Sequence, residues 1–194
     1  SRKADWADPS TGRSPGVWSR AEGWFLMALA DVYELAKDYT PRAGELVLLL
    51  KNGLGGLLQY QDRETRMFFQ VVDHAGLPGN YPETSGSAMA AYAMMKGARL
   101  GMLDISYWDK GNDVLEGVRN TWLKKDKDGW HLHGICASAG LGAGPDPHNR
   151  KDRNGTPEYY ISEARMTDNQ HGTAACMMAG SEQLRRKGNH SCSN

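Results

Sequence analysis

The chain has 194 residues, with 23 Lys and Arg against 23 Asp and Glu, so its formal net charge at pH 7 is zero. This length fits one domain with a sizeable core, or part of a larger domain. No basic stripe alternates with aromatic residues, and no apolar run approaches the roughly 20 residues of a membrane span, so neither a nucleic-acid partner nor a membrane anchor is expected.

Five helices are predicted, after an irregular lead-in over residues 1–17 that is rich in turn-forming residues. Their expected spans are 20–38, 41–60, 84–101, 106–124 and 172–187. Gly188 is expected to end the last helix, leaving residues 188–194 as a tail. Short β-like runs are predicted at 67–73 and 130–137, and a long Gly-, Pro- and charge-rich loop at 140–155.

Nearly apolar helices alternate with amphipathic ones along the chain. The first, third and fifth helices have little polar surface, and each begins in a polar cluster, at residues 20–22, 83–85 and 169–171. This alternation predicts an inner and an outer layer, with the inner-helix N-termini sharing one rim. Their unpaired N–H groups and positive dipole ends suit an anionic ligand. An ordinary helical bundle with polar caps is the alternative.

The segment that opens the first helix combines two indoles with a guanidinium, in Trp18, Arg20 and Trp24. Indole faces stack on sugar rings, and a guanidinium grips a carboxylate at two points. The segment is therefore a candidate site for an acidic sugar. In the alternative interpretation, Trp24 is a core residue and Arg20 a surface charge.

Several motifs occur in one order along the chain: WSRAEGW at 18–24, YPETSGSAMAAYA at 81–93, AGLGAG at 139–144, EYYISE at 158–163 and HGTAACMMA at 171–179. Together they resemble the unsaturated rhamnogalacturonyl hydrolases of glycoside hydrolase family 105, which are related to the unsaturated glucuronyl hydrolases of family 88. The resemblance implies an all-α fold, an (α/α)6 barrel of six helical hairpins. Residues 1–194 would be the C-terminal portion of that single domain, about its last three hairpins, with short β-like loops.

The same resemblance implies a substrate and a reaction. The substrate would be an unsaturated uronic-acid oligosaccharide from pectin or a related acidic polysaccharide. An aspartic acid would protonate the C4=C5 double bond, water would add, and the resulting hemiketal would open. No metal or organic cofactor is implied.

Seven positions match substrate-binding motifs of the family: Trp18, Arg20, Trp24, Glu83, Thr84, Ser85 and His171. Arg20 would contact the uronate carboxylate and the two indoles would wall the ring. The 83–85 cluster is expected to form a polar floor or a helix cap, with a purely structural buried cap as the alternative. His171 is expected at the rim.

Two departures from the family pattern affect this interpretation. Glu22 stands where the family usually has asparagine, and a carboxylate beside an anion site is unfavourable unless it is paired or points away. Family members are also much longer, and their proton-donating aspartate belongs to the half that would precede Ser1. Asp5 and Asp8 do not match it, so the isolated chain is expected to be inactive. Its open barrel edge would be apolar, and would bind the missing N-terminal half or a second copy.

Weaker signals point elsewhere. His131 and His133, with Cys136 or His148, suggest zinc only faintly, and Asp146, Asp152 and Asn154 resemble a calcium loop that lacks its closing glutamate. Three widely spaced cysteines form no disulfide framework, which favours a cytoplasmic location; a periplasmic or secreted one is the alternative. A non-catalytic helical module that binds carbohydrate or acts as a scaffold is the alternative function.

Overall fold

The computed structural model describes residues 4–142 and 153–191. The helices in these ranges are α1 (Ser19–Ala36), α2 (Ala43–Leu57, continued by a 3-10 turn at Leu58–Tyr60), α3 (Thr84–Arg99), α4 (Ser106–Trp122), α5 (Pro157–Ser162) and α6 (Gln170–Ser191). Strand β1 (Leu123–Lys125) pairs antiparallel with β2 (Trp130–Leu132), and β3 (Ile135–Cys136) pairs antiparallel with β4 (Arg165–Met166). No helix in the described ranges is long and apolar enough to cross a bilayer.

The five predicted helices are present, with corrections at their ends. α2 begins at Ala43 rather than at Pro41, because the Thr40 hydroxyl accepts a hydrogen bond from the Arg42 amide in a turn before the helix. The predicted tail is wrong for residues 188–191, since α6 continues through Gly188 to Ser191.

The β-like prediction for 67–73 is also wrong. Val71 and Phe69 make only isolated bridges there. The amides of this segment have scattered partners rather than one neighbouring strand: Phe68 donates to the Ser87 hydroxyl and Val71 to the Asn80 amide oxygen, whereas Gln70 and Val72 donate to the carbonyls of Tyr81 and Val17.

The predicted loop at 140–155 lies mostly outside the described residues. Immediately after it, α5 is a helix that the sequence analysis missed. Its signal was nevertheless present, since the Thr156 hydroxyl caps the Tyr159 amide and Pro157 occupies the first turn.

α3 lies at the centre of the described structure. It packs against α1, α4 and α6, and every residue from Thr84 to Ala98 is buried. α2 packs against α1 on the outside. Helices α1, α3 and α6 therefore form an inner layer, and α2 and α4 an outer one, as the alternation predicts.

α1 is less buried than expected. Large apolar side chains are exposed along one of its faces, as they are on α6: Trp24, Phe25, Val32, Leu35, Met177 and Leu184. The reason is that α2 and α3 cover only part of α1. The predicted apolar edge is thus present on α1 and α6, while its partner stays a prediction.

Two glycines allow the first turns of α1 and α3 to touch. A Cβ on Gly86 would lie 2.6 Å from the Ser19 hydroxyl, and one on Gly23 would lie 2.7 Å from the Cβ of Met89. Real Cβ atoms do not approach other atoms so closely, so larger residues would force the helices apart. This contact brings Ser19 within 3.5 Å of Glu83.

Candidate functional site

The N-terminal ends of the three inner helices meet around one cavity of about 270 Å³. Trp24 of α1, Met89 of α3 and His171 of α6 contribute to its wall. The structure thus brings together the polar helix starts that the sequence predicts at one rim. Because a helix N-terminus carries a partial positive charge, the positive ends of three helix dipoles lie near these polar groups.

Arg20 is 1% exposed, yet it makes no ion pair within the described part of the chain. Its Nη1 is buried and has no hydrogen-bond partner among the described residues. Its Cζ lies 4.9 Å from the centroid of the Trp18 ring, a cation–π contact. A buried guanidinium is normally paired, because desolvating an isolated charge is costly. Arg20 is therefore prepared for an anion.

The two tryptophans have different surroundings. Trp24 is 50% exposed and lines the cavity, so the interpretation of Trp24 as core and Arg20 as a surface charge is wrong on both counts. The Trp18 indole donates from Nε1 to Gln70 Oε1 at 3.2 Å and stacks on Tyr160 with a centroid separation of 6.1 Å. These contacts favour a role for Trp18 in holding Arg20, and leave Trp24 as the better candidate for contact with a ring.

Glu83 caps α3 from a fully buried position. Its carboxylate accepts hydrogen bonds from the Gly86 amide at 2.6 Å, the Ser85 hydroxyl at 2.7 Å and the Cys136 amide at 3.0 Å. The Ser19 hydroxyl adds a longer contact at 3.5 Å. With its lone pairs engaged in this way, the carboxylate acts as the helix cap rather than as a ligand contact.

Thr84 and Ser85 share this structural role. The Thr84 hydroxyl donates to the carbonyl of His133 at 2.7 Å, and the Ser85 hydroxyl donates to the Glu83 carboxylate. The geometry therefore supports the purely structural alternative for the 83–85 cluster, which ties α3 to the loop around β3.

His171 and Gln170 are the polar residues at the α6 end of the cavity. The backbone N–H and the Nδ1 of His171 both contact Asn169 Oδ1, at 3.1 and 2.9 Å. Because the backbone group can only donate, Oδ1 is the acceptor, so Nδ1 carries the proton and Nε2 is left as an acceptor. Burial, reinforced by the charge of Arg20, lowers the pKa of His171, which keeps the imidazole neutral at pH 7.

Glu22 faces a different space from Arg20. It lines a cleft of about 530 Å³ between α1 and α2, together with Arg13, Asn52 and Asp73. Trp24 is about 200° away from Glu22 around the helix, which explains why the two side chains line different cavities. Burial raises the pKa of Glu22. Glu22 therefore points away from the anion site, and the expected electrostatic repulsion between its carboxylate and a bound anion is avoided.

Replacing Glu22 with glutamine should raise the thermal unfolding temperature by about 1–2 °C at pH 7 and leave it unchanged near pH 4. A raised pKa in the folded state means that folding is favoured while the carboxyl is protonated and is opposed as the pH rises through that pKa. Thermal melts from pH 4 to 8 check this. Glu45→Gln is the control for an exposed carboxylate: Arg42 lowers the pKa of Glu45, so any change should be opposite in sign, and it should be small because water replaces the lost contact. A pH-independent effect of Glu22→Gln would contradict the assignment.

The two histidines that suggested zinc bind other groups. His131 Nδ1 lies 2.7 Å from Asp168 Oδ2, and His133 Nδ1 lies 2.9 Å from the Thr167 hydroxyl. In the described ranges no three His, Cys, Asp or Glu side chains are placed to hold a metal ion. His148, Asp146 and Asp152 lie outside the described residues.

Tyr81 is a residue of this region that the sequence analysis did not single out. Its hydroxyl is buried and has no hydrogen-bond partner in residues 4–142 and 153–191, and the Arg165 guanidinium carbon lies 3.9 Å from its ring centroid. The only sequence signal was its place two residues before the cap Glu83.

Comparison with known proteins gives consistent results. Residues 1–187 match the family described as Glycosyl Hydrolase Family 88. Protein Atu3128 of Agrobacterium fabrum and the 24.9 kDa protein in picA locus of Rhizobium radiobacter are each 39% identical over 189 residues, which is 95% of this chain and 78% of each relative.

The fold has counterparts among solved structures. A family 105 glycoside hydrolase from C. acetobutylicum ATCC 824 superposes with a TM-score of 0.85 and 36% identity over 93% of this chain. The chain spans about half the length of that protein, 49%. This likeness confirms the predicted partial (α/α)6 barrel and the resemblance to families 105 and 88. Because the family match extends over nearly the whole sequence, and the relatives are identical at more than a third of the aligned positions, the chain belongs to glycosyl hydrolase family 88.

Proposed function

We propose that this chain forms the substrate-binding half of a glycoside hydrolase that acts on unsaturated uronic-acid oligosaccharides, of the rhamnogalacturonan type found in pectin. The observation that carries the proposal is Arg20, a buried guanidinium with an unused donor at the rim where three inner helices begin. A further solved structure, 16% identical with a TM-score of 0.51, is the unsaturated glucuronyl hydrolase of Bacillus sp. GL1, described as responsible for the degradation of glycosaminoglycan. That description supports an acidic sugar as the ligand.

Each residue at the starts of the inner helices has a distinct task in this proposal. Arg20 holds the uronate carboxylate, using charge-assisted hydrogen bonds that a lysine cannot duplicate in two-point form. Trp24 offers its half-exposed indole to the apolar face of the sugar ring. His171 accepts a hydrogen bond from a sugar hydroxyl through Nε2. Trp18 and Glu83 hold Arg20 and the start of α3 in place.

The proposed reaction is protonation and hydration of the C4=C5 double bond by a carboxylic acid that then helps to activate water. Neither carboxylate adjoining the first inner turns suits that role, because Glu83 is engaged by several donors and Glu22 faces another cleft. We therefore propose that the general acid lies in the family half that would precede Ser1, and that the 194-residue chain binds substrate without turning it over.

Calorimetry with three disaccharides tests the proposal. The chain should bind unsaturated digalacturonide more tightly than saturated digalacturonide, and should show no measurable affinity for galactobiose, which has no carboxylate. The ultraviolet absorbance of the conjugated double bond should stay constant when the chain is added. Equal affinity for galactobiose would contradict the anion site, and a falling absorbance would contradict the missing acid.

A non-catalytic helical module is the second candidate function, and the apolar faces of α1 and α6 favour it. Exposed side chains such as Phe25, Leu35 and Met177 present a surface suited to another helical chain. In that case galactobiose and the two digalacturonides would bind equally weakly, and the chain would be recovered as a stable complex or oligomer.

A further inference from the structure

We propose that the Tyr81 hydroxyl is a second ligand contact, one that selects acidic sugars by donating a hydrogen bond to the group that Arg20 holds. The inference rests on the proposed function, and it concerns a residue that the motif comparison did not assign to the site.

The ring of Tyr81 is held firmly while its hydroxyl is not used. The residue is 3% exposed, its amide donates to Asn80 Oδ1 at 3.1 Å, and its carbonyl accepts from the Gln70 amide at 2.8 Å. The Arg165 guanidinium lies over the ring and is itself anchored to the carbonyl of Gly79 at 3.3 Å. Yet Oη has no hydrogen-bond partner in the part of the chain that the structure describes. Buried hydroxyl groups are normally bonded, because leaving one unpaired is unfavourable.

Tyr81 and Arg20 belong to one polar neighbourhood. Burial raises the pKa of Tyr81 and the Glu83 carboxylate raises it further, while the Arg20 charge opposes this rise. The backbone also links the two residues: the amide of Ser19, next to Arg20, donates to the Gln70 carbonyl at 3.1 Å, and the Gln70 amide donates to the Tyr81 carbonyl at 2.8 Å. The charges of Arg20 and Glu83 also shift the pKa of Cys136, in opposite directions, and the Cys136 amide donates a hydrogen bond to Glu83. Because its pKa is raised, Tyr81 stays protonated and can only donate to an anion.

Two unused donors in one buried cluster point to a shared acceptor. Among the described residues, Arg20 Nη1 and Tyr81 Oη are both unpartnered, and the Glu83 carboxylate, whose charge acts on the pKa of Tyr81, is already engaged. A carboxylate has two oxygens and can accept from both donors at once. A site built to hydrogen-bond one group discriminates strongly against an analogue that lacks it, since its own polar atoms are then left unpaired.

Tyr81→Phe removes this one oxygen and keeps the ring. Isothermal titration calorimetry should show that affinity for unsaturated digalacturonide falls about 10- to 100-fold. The thermal unfolding temperature of the ligand-free variant should be unchanged or higher, because Oη makes no hydrogen bond in the free protein. A merely structural tyrosine would give the reverse pattern.

Tyr92→Phe is the matched control. The Tyr92 hydroxyl donates to Asp31 at 2.7 Å and accepts from Lys96 at 3.0 Å, and Tyr92 does not line the cavity. Its loss should lower the unfolding temperature and leave affinity unchanged. Unchanged affinity in Tyr81→Phe, with a wild type that binds the unsaturated ligand, would overturn this inference alone. A wild type without affinity for any uronide would overturn the proposed function and this inference with it.

Discussion

Replacing Arg20 with methionine is expected to reduce affinity for unsaturated digalacturonide by at least about 30-fold, because the ligand carboxylate would enter a buried site without its counter-charge. The same variant should unfold at an equal or higher temperature. The free protein gains no ion pair from Arg20 within its described residues, whereas burying the guanidinium is unfavourable. An apolar side chain of similar length removes that penalty while still packing against Trp18. Calorimetry and thermal melts on one preparation measure both effects.

Two companion variants sharpen this prediction. Arg20→Lys keeps the charge but loses the planar fork, so its affinity should lie between those of the wild type and Arg20→Met. Arg13→Met is the matched control, because Arg13 lines the cleft on the Glu22 side of α1 rather than the cavity with Trp24. A strong fall in stability for Arg20→Met, with affinity retained, would mean that Arg20 is structural.

Replacing Arg99 with alanine is expected to lower the free energy of unfolding by about 3 kcal/mol, the largest stability change predicted for this chain. Arg99 contacts Glu182 at 2.6 and 3.0 Å, and reaches Glu34 at 3.2 Å. Glu182 is 3% exposed, so it would be left as a buried charge without its main partner. The contacts join α1, α3 and α6 at the end of α3 opposite to Glu83, and their loss should loosen all three inner helices.

Urea denaturation of Arg99→Ala measures this effect, and Arg42→Ala is its control. Arg42 and Glu45 form a similar pair at 2.7 Å, but both side chains are largely exposed, so water replaces the lost contact and stability should hardly change. A double variant with Glu182→Gln should recover part of the loss, because it removes the stranded charge. Equal effects of Arg99→Ala and Arg42→Ala would contradict the importance of burial in this cluster.

The helices were predictable because their signals are local. Each of the stretches that become α1, α3 and α6 is continuous in the sequence and is flanked by its own turn residues. The predicted ends of these helices differ from the observed ends by only a few residues. Residues 67–73 form only isolated bridges because a β-like composition does not supply a strand partner, and α5 was missed although its capping threonine and its proline are local signals.

The candidate site was only partly predictable. The sequence alone placed Arg20, Trp24 and His171 at the starts of inner helices, because motif spacing and helix order are properties of the linear chain. Tertiary structure decided which groups are free. Trp18 donates a hydrogen bond to Gln70 and stacks on Tyr160, and Glu83 accepts a hydrogen bond from Cys136. The Tyr81 hydroxyl has no hydrogen-bond partner among the described residues. Burial and hydrogen bonding depend on residues about 50 to 140 positions away in the sequence, and the spacing of a motif does not identify those residues.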